Sequence, residues 1–267
     1  YTSLAGEEIE EITGILNGTT NYILTKMDKE GETFESALKE AQDLGYAERN
    51  PEADVEGHDT CRKIAILTAM ATGHEVDYED IHTEGITSIS DVDFKYAEKM
   101  GTSVKLFGSS RIKAGEIHAW VAPVMIGKDH PLYSVSDVFN GILVKGNMLG
   151  TSMFYGSGAG MLPTASAVIA DIIEAVQNRN RHVEMGWDDS RLAIAPTQTS
   201  SSRFFIRIKG IAEERLAEVL KVFGDVTVIE LDHMDEFAVV TDVMTEAEYE
   251  KKAKELSGIR QRIRAEV

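Results

Sequence analysis

The chain has 267 residues, 43% of them hydrophobic, enough to bury a core and to form one large domain or two modest ones. Its 27 Lys and Arg stand against 45 Asp and Glu, and the formal charge of -18 repels phosphate backbones and anionic membranes, which argues against nucleic acid as a partner. The lone cysteine, Cys61, excludes an internal disulfide framework and a cysteine-based zinc site, so no metal is expected and the usage fits a reducing cytoplasm.

No apolar run reaches the roughly 20 residues a membrane helix needs, and Tyr1-Thr2-Ser3-Leu4 lacks the charged and apolar regions of a signal peptide. A start without an initiator Met suggests a fragment. Glu8 to Asn17 reads as a half-buried strand. After Gly18, the hydroxyl of Thr19 or Thr20 is expected to cap a short helix through Tyr22, Ile23 and Met27. Phe34, Ala37, Leu38, Ala41 and Leu44 recur at helical spacing after Thr33, and Gly45 is placed to end that helix in the left-handed conformation. Pro51 and Gly57 punctuate a loop. Asp59 to Ala71 reads as a helix with Ile64, Leu67 and Thr68 inward and Gly73 at its end.

Further along, Gly85 to Ile89 is expected as a short strand, and Asp91 as the cap of a helix through Met100 that Gly101 ends. Ser103 to Phe107 and Glu116 to Ile126 flank Lys113-Ala114-Gly115 as an antiparallel pair, and Asn140 to Gly146 and Gly150 to Tyr155 add two strands. Pro163 then sits in the first turn of a helix that runs from Ala165 to Val176. The polar stretch from Arg181 to Gln198 reads as a linker. Beyond it come strand Arg203 to Ile208, helix Glu213 to Phe223, strand Val226 to Leu231, strand Glu236 to Val243, helix Glu246 to Leu256 and strand Ile259 to Val267. The fold class is therefore α/β (α+β), an open mixed sheet with covering helices, followed by a ferredoxin-like βαββαβ unit.

Chemistry concentrates between Gly45 and Lys63. Asp59 and Lys63 are four apart, so a helix puts carboxylate and ammonium on one face. Taken alone, that spacing describes an ordinary surface ion pair. The longer string Gly45-Tyr46-Ala47-Glu48, Pro51, Asp54-Val55-Glu56-Gly57, Asp59 and Lys63 resembles the signature of homoserine dehydrogenases. So do Gly14-Ile15-Leu16-Asn17-Gly18-Thr19-Thr20-Asn21-Tyr22-Ile23-Leu24, His130-Pro131-Leu132, and the run from Tyr155 to Ala167. The likeness covers about residues 5 to 180.

The resemblance implies reduction of L-aspartate 4-semialdehyde to L-homoserine with NADPH or NADH, on the path to threonine, methionine and isoleucine. Hydride addition to an aldehyde leaves an alkoxide, which needs a cation and a proton donor beside it. By resemblance Lys63 takes that role, with Asp59 beside it as the other catalytic residue. Among carboxylates, Lys63 is suited to donate a proton or a hydrogen bond, directly or through water, rather than to act as a free base. The substrate's ammonium calls for carboxylates, and Glu48, Asp54 and Asp59 sit where the family places its acidic binding residues, with Thr19 and Tyr46 as further substrate contacts. Two readings stand for Asp54, a substrate ligand or a cap on the next helix. Glu52 and Glu56 read as solvated loop charges, His58 as non-catalytic, and Cys61 as turned toward packing or a dimer contact.

Gly158, Ala159 and Gly160 precede a helix, as phosphate-cradling glycines do, but outside the strand, glycine loop and helix order of a dinucleotide site. In the family this segment, here 158-180, returns toward the nucleotide-binding domain. Contact with the cofactor and close backbone packing at a domain junction are both open readings. The division expected is a catalytic and dimerisation domain at 1-180, a linker at 181-198, and a unit at 199-267 that resembles an ACT domain, a module that binds amino acids between paired copies. The Asp, Pro and Gly usual in its first turn are replaced by Lys209-Gly210-Ile211-Ala212. Threonine feedback and a purely assembling role therefore both remain. No G-x-G-x-x-G follows an opening strand, so most of the NADP or NAD site is expected outside this chain, which alone is expected to be inactive. A dimer or tetramer is expected; the alternative is an amino-acid-binding or dimerising regulatory module without catalysis.

Overall fold

The computed structural model describes residues 4-113, 115-181 and 188-267. The elements in chain order are β1 (Ile9–Ile15), α1 (Gly18–Glu30), α2 (Phe34–Asp43), α3 (Glu52–Val55), α4 (His58–Thr72), β2 (His74–Glu75), β3 (His82–Thr83), α5 (Asp91–Met100), β4 (Thr102–Lys113) and β5 (Glu116–Gly127). There follow β6 (Phe139–Gly146), β7 (Gly150–Ser157), α6 (Met161–Gln177), β8 (Asp188–Arg191), β9 (Ser201–Lys209), α7 (Ala212–Phe223), β10 (Val226–Glu230), β11 (Glu236–Thr241), β12 (Met244–Thr245), α8 (Glu246–Ala253) and β13 (Ile259–Glu266).

One large mixed sheet organises these elements, in the order β10-β11-β9-β13-β5-β4-β1-β6-β7, with β12 beside β9 and β3 beside β5. Its spine is the antiparallel pair β4-β5, in register from Thr102 opposite Gly127 to Lys113 opposite Glu116. The other edge of β5 is covered in succession: Ile194 bridges to Ile117, β3 pairs in parallel with Trp120 and Val121, and β13 pairs in parallel from Val124 to Ile126. These short pairings interrupt the edge of this apolar strand as a template for another chain.

Side chains alternate across the sheet, and each face has its own core. On one face Val104, Leu106, Val121 and Met125 pack with Ile23, Ile64, Phe94 and Tyr96 of the covering helices. On the other, Phe107, Trp120, Ala122 and Val124 pack with Leu132 and Val135. Gly108 allows α4 to press onto β4, since a methyl there would lie 3.1 Å from both the Leu16 and Thr60 side chains. The βαββαβ unit has a third core, in which Phe204, Ile206, Val219, Phe223, Phe237 and Tyr249 meet.

Several local signals act as expected. Gly45 adopts φ 78° after α2, and Gly73 and Gly101 end α4 and α5 in the left-handed conformation. Others are corrected. The cap of α1 is Asn17, whose Oδ1 accepts from the Thr20 amide at 2.8 Å, rather than a threonine hydroxyl. Ser90, not Asp91, caps α5, in a reciprocal box in which Asp93 accepts from the Ser90 amide. Gly85 to Ile89 is a turn rather than a strand: the Ile86 amide donates to Val55 and the Ile89 amide to Ile86, while the short strand lies earlier, at His82–Thr83. Leu67 is only half-buried, whereas Ile64 and Thr68 are buried.

Of the stretch read as a linker, 182-187 lies outside the described residues, as do Ala114 of the expected turn and Tyr1 to Ser3 of the start. Residues 188-199 adhere to the body: β8 pairs with β2, the Leu192 amide donates to Glu75, and the Ala195 amide donates to Ile117.

Candidate functional site

The expected acidic and basic residues meet where β1 ends and α1 and α4 begin. Asn17 occupies the centre. Its side-chain carbonyl is committed to capping α1, which turns its amide outward to donate to Asp54 Oδ1 at 2.7 Å and to Asp59 Oδ2 at 2.8 Å. One residue thus fixes the helix start and two carboxylates. Lys63 completes the group, with Nζ 2.7 Å from Asp59 Oδ2 and donating at 3.0 Å to the Leu16 carbonyl. The i,i+4 spacing on α4 forms the pair, and the Leu16 carbonyl, just past the end of β1, orients the ammonium.

Asp54 does not cap α4. That helix starts after Gly57, at φ 81°, with no side-chain cap, and Asp54 points to Asn17 instead. Burial raises the Asp54 carboxyl above its ordinary value, the Asn17 hydrogen bond works in the other direction, and the charges of Asp59 and Glu48 add to the rise. Glu48 therefore lies within electrostatic reach, although its side chain is exposed. Its loop is held by Thr19, whose hydroxyl donates to the Tyr46 carbonyl at 2.7 Å, and by Gln42, which donates to the Glu48 carbonyl at 3.1 Å. The Tyr46 ring meets Tyr22 edge-on at 5.0 Å. The site is open: the Lys63 and Asp59 side chains are 47% and 31% exposed.

The short helix α3, which carries Asp54, is backed by tight packing. A methyl on Gly85 would lie 2.3 Å from the Val55 carbonyl oxygen, so only glycine lets that segment pass behind α3. Next to it, Glu84 is gripped by Arg264 Nη2 at 2.9 Å, by Arg262 at 3.3 Å and by His82 at 2.7 Å. Burial opposes its charge, but the His82 hydrogen bond and the two guanidinium groups outweigh burial and hold the carboxyl far below the usual carboxylate range. Two arginines of β13 thereby anchor the segment behind Asp54.

Gly158, Ala159 and Gly160 form an exposed strip leading into α6, and Gly160, at φ 111°, leaves the helix start without a side-chain cap. The strip lies across Asn140 from the site. A methyl on Gly158 would come within 2.9 Å of the Asn140 side chain, and one on Gly18 within 3.5 Å of its Oδ1. Cys61 takes no part: it is buried, burial pushes its thiol up, and Sγ donates to the Tyr78 carbonyl at 3.3 Å. Asn17 is the residue that reading by type overlooked. Its signal is the N-cap preference of Asn at a strand-to-helix junction.

Known proteins are similar to this chain in sequence and in fold. The family model described as homoserine dehydrogenase matches residues 1–173. The chain belongs to the homoserine dehydrogenase family. A homoserine dehydrogenase of Synechocystis is 52% identical over 178 residues, covering 65% of this chain and 41% of that protein. The crystal structure of a homoserine dehydrogenase from Thiobacillus denitrificans superposes with a TM-score of 0.90 at 32% identity, over 99% of this chain and 65% of that one. A hyperthermophilic archaeal homoserine dehydrogenase mutant in complex with NADPH is 32% identical, with a TM-score of 0.55 over 68% of this chain and 52% of its own. The chain spans about two fifths of the curated relative and about two thirds of the Thiobacillus structure. The Thiobacillus homoserine dehydrogenase superposes over the C-terminal βαββαβ unit as well as over helix α4, which carries Asp59 and Lys63.

Proposed function

We propose that these residues form the substrate-binding part of a homoserine dehydrogenase that interconverts L-aspartate 4-semialdehyde and L-homoserine with NADPH or NADH. The observation that carries this reading is the Asp54-Asn17-Asp59-Lys63 constellation, an ammonium beside carboxylates on an open surface. Glu48, Asp54 and Asp59 hold the substrate's ammonium, and Thr19 and Tyr46 shape that end of the site. Lys63 is assigned the aldehyde oxygen, where its role is to hold the developing alkoxide and supply its proton, directly or through water. In the oxidising direction the same group takes the proton back.

Bound nicotinamide supplies the hydride. Among the residues here, Gly158, Ala159 and Gly160 are the ones to approach it: their backbone is exposed, and the uncapped amides at the start of α6 suit a polar or anionic edge. Strand β7, these glycines and α6 follow one another, but β7 pairs antiparallel with β6 rather than within a parallel crossover unit, and the nucleotide is proposed to be held mainly by residues other than these.

Residues 199-267 are proposed as an ACT-like domain joined through 181-198 to the catalytic and dimerisation domain at 1-180. The strand order β10-β11-β9-β13 supports that architecture. At its first turn, Arg215 donates to the Lys209 and Ser257 carbonyls, which fills the turn and favours an assembling role over an amino-acid effector there. A homo-oligomer is proposed because Met153, Phe154 and Tyr155 on the edge strand β7 are exposed. No helix among the described residues is long and apolar enough to cross a membrane; a cytoplasmic location is part of the proposal.

The test combines two measurements. Calorimetry of this chain with L-homoserine should give saturable binding that Glu48→Gln weakens. In a protein carrying these residues with a nicotinamide-binding domain, Lys63→Met should lower kcat about 100-fold or more at unchanged folding. Full turnover in the Lys63 variant would end this assignment.

A further inference from the structure

A cavity of about 930 Å³ lies away from the substrate site. It lies at the junction of the catalytic sheet and the βαββαβ unit, between the end of β5, the 127-130 loop, the approach to β9, and β13. Its volume falls within the range that holds small ligands. Its charge is opposite to that of the protein. On a chain of net charge -18, the wall carries Arg111, His118, Lys128, His130, Arg203 and Arg264 against Asp129 and Glu266.

Arg264 decides what such a cavity could take. It is 3% exposed, with Nε on Glu246 at 2.6 Å and Nη2 on Glu84 at 2.9 Å. Its remaining nitrogen, Nη1, is buried with no hydrogen-bond partner among the described residues, as is Nδ1 of His118 on the same wall. Buried donors are nearly always paired, so an unpaired guanidinium nitrogen in a cavity wall marks a place for an acceptor. Arg111 is already engaged by Glu11 at 3.0 Å, but Lys128 and Arg203, on the same wall, enter no ion pair among the described residues. An apolar surface is also present, the Trp120 ring, which lies 5.4 Å from the Arg264 guanidinium carbon.

We infer that this junction cavity is a binding site for a small organic anion, with its carboxylate or phosphate group on Arg264, Lys128 and Arg203 and its apolar part against Trp120. Nη1 of Arg264 is covered, so Lys128 and Arg203 supply the first contacts, and a concave wall rich in cations suits a small molecule rather than a second copy. This site is separate from the homoserine site and does not depend on that assignment.

The experiment uses benzoate and phenyl phosphate as probes, benzamide as the uncharged control, and the fluorescence of Trp120 in a Trp187→Phe background, where it is the remaining tryptophan. Both anions, or whichever of the two matches the natural group, should change the fluorescence saturably in the millimolar range or below, and benzamide should not. Lys128→Ala and Arg203→Ala should each weaken binding about tenfold, the size of a lost charge-assisted hydrogen bond. These outward variants carry the test because Arg264→Met also strands Glu84 and Glu246. The inference is overturned by the absence of saturation up to about 10 mM, by equal binding of benzamide, or by affinity indifferent to Lys128 and Arg203. A dimer that loses its self-association in those two variants while binding no probe would also overturn it, assigning the cavity to a second copy.

Discussion

The side-chain amide of Asn17 donates to Asp54 at 2.7 Å while its carbonyl caps α1, so a carboxylate of the proposed substrate site is positioned by the start of a helix. Asn17→Ala should cost about 1 kcal/mol through the lost cap and leave Asp54 and Asp59 facing each other without a donor between them. Asn17→Asp separates the two effects. It keeps a good cap but places an acceptor against two carboxylates, so homoserine affinity should fall at least tenfold although the cap is retained. Denaturation and calorimetry of both variants check this; equal homoserine affinity in Asn17→Asp and the parent would refute it.

Gly85 is expected to matter for the same site at a distance. Alanine there meets backbone, not a yielding side chain, with the Val55 carbonyl oxygen 2.3 Å and Glu56 Cα 2.5 Å away. Gly85→Ala should destabilise by about 1–3 kcal/mol and weaken homoserine binding by shifting the segment that carries Asp54. Gly6→Ala, where nothing lies within 4 Å, is the control and should change neither.

Lys105 gives a pH signature. It is buried and donates to the Val135 carbonyl at 2.7 Å; burial lowers its pKa to about 8, with Asp28 and Asp137 pulling back and Lys29 adding to the fall. The unfolded chain has this lysine near 10.4, so between about pH 8 and 10 the unfolded state binds more protons and stability rises with pH. The penalty is fully present below pH 8 and is of the order of 3 kcal/mol. Urea denaturation of the parent should therefore gain stability relative to Lys105→Met across that window. Parallel curves would show that the lysine titrates normally.

Arg207 joins the two parts of the molecule. From β9 it reaches Asp93 of α5 at 2.7 Å and Glu236 of β11 at 2.9 Å, and both carboxylate side chains are fully buried. Removing the cation alone, in Arg207→Met, leaves two buried charges without their partner and should cost about 3–5 kcal/mol. Scanning calorimetry should show the loss as a lower melting temperature. A variant that melts with the parent would mean that Ser90 and Arg260 already satisfy these carboxylates.

Much of this was legible locally. Helices α2 and α4 announce themselves through apolar spacing and through Gly45 and Gly73, the β4-β5 pair through alternation about a glycine turn, and the C-terminal unit through its element order. In the site, the Asp59-Lys63 pair follows from helical spacing. The role of Asn17 was not legible, because its two amide hydrogen bonds reach residues of two helices distant in sequence, and nearby Thr19 and Thr20 offer equally plausible caps. The Gly85 to Ile89 turn was misread because Ile86 and Ile89 are apolar and buried, as strand residues are, yet their amides bond within a turn. The insertion of β13 between β5 and β9 pairs segments remote in sequence, which no local pattern encodes.

That insertion governs the order in which the molecule can be completed. The strand that joins the two parts of the sheet comes after every other element described, so during synthesis β9 and the end of β5 wait for their shared neighbour. Until then Val124 to Ile126 offer an apolar edge to any passing strand, the circumstance in which newly made chains aggregate or exchange segments. Closing so distant a pairing is slow, and assembly of this protein should be limited by the docking of β13 rather than by formation of its helices.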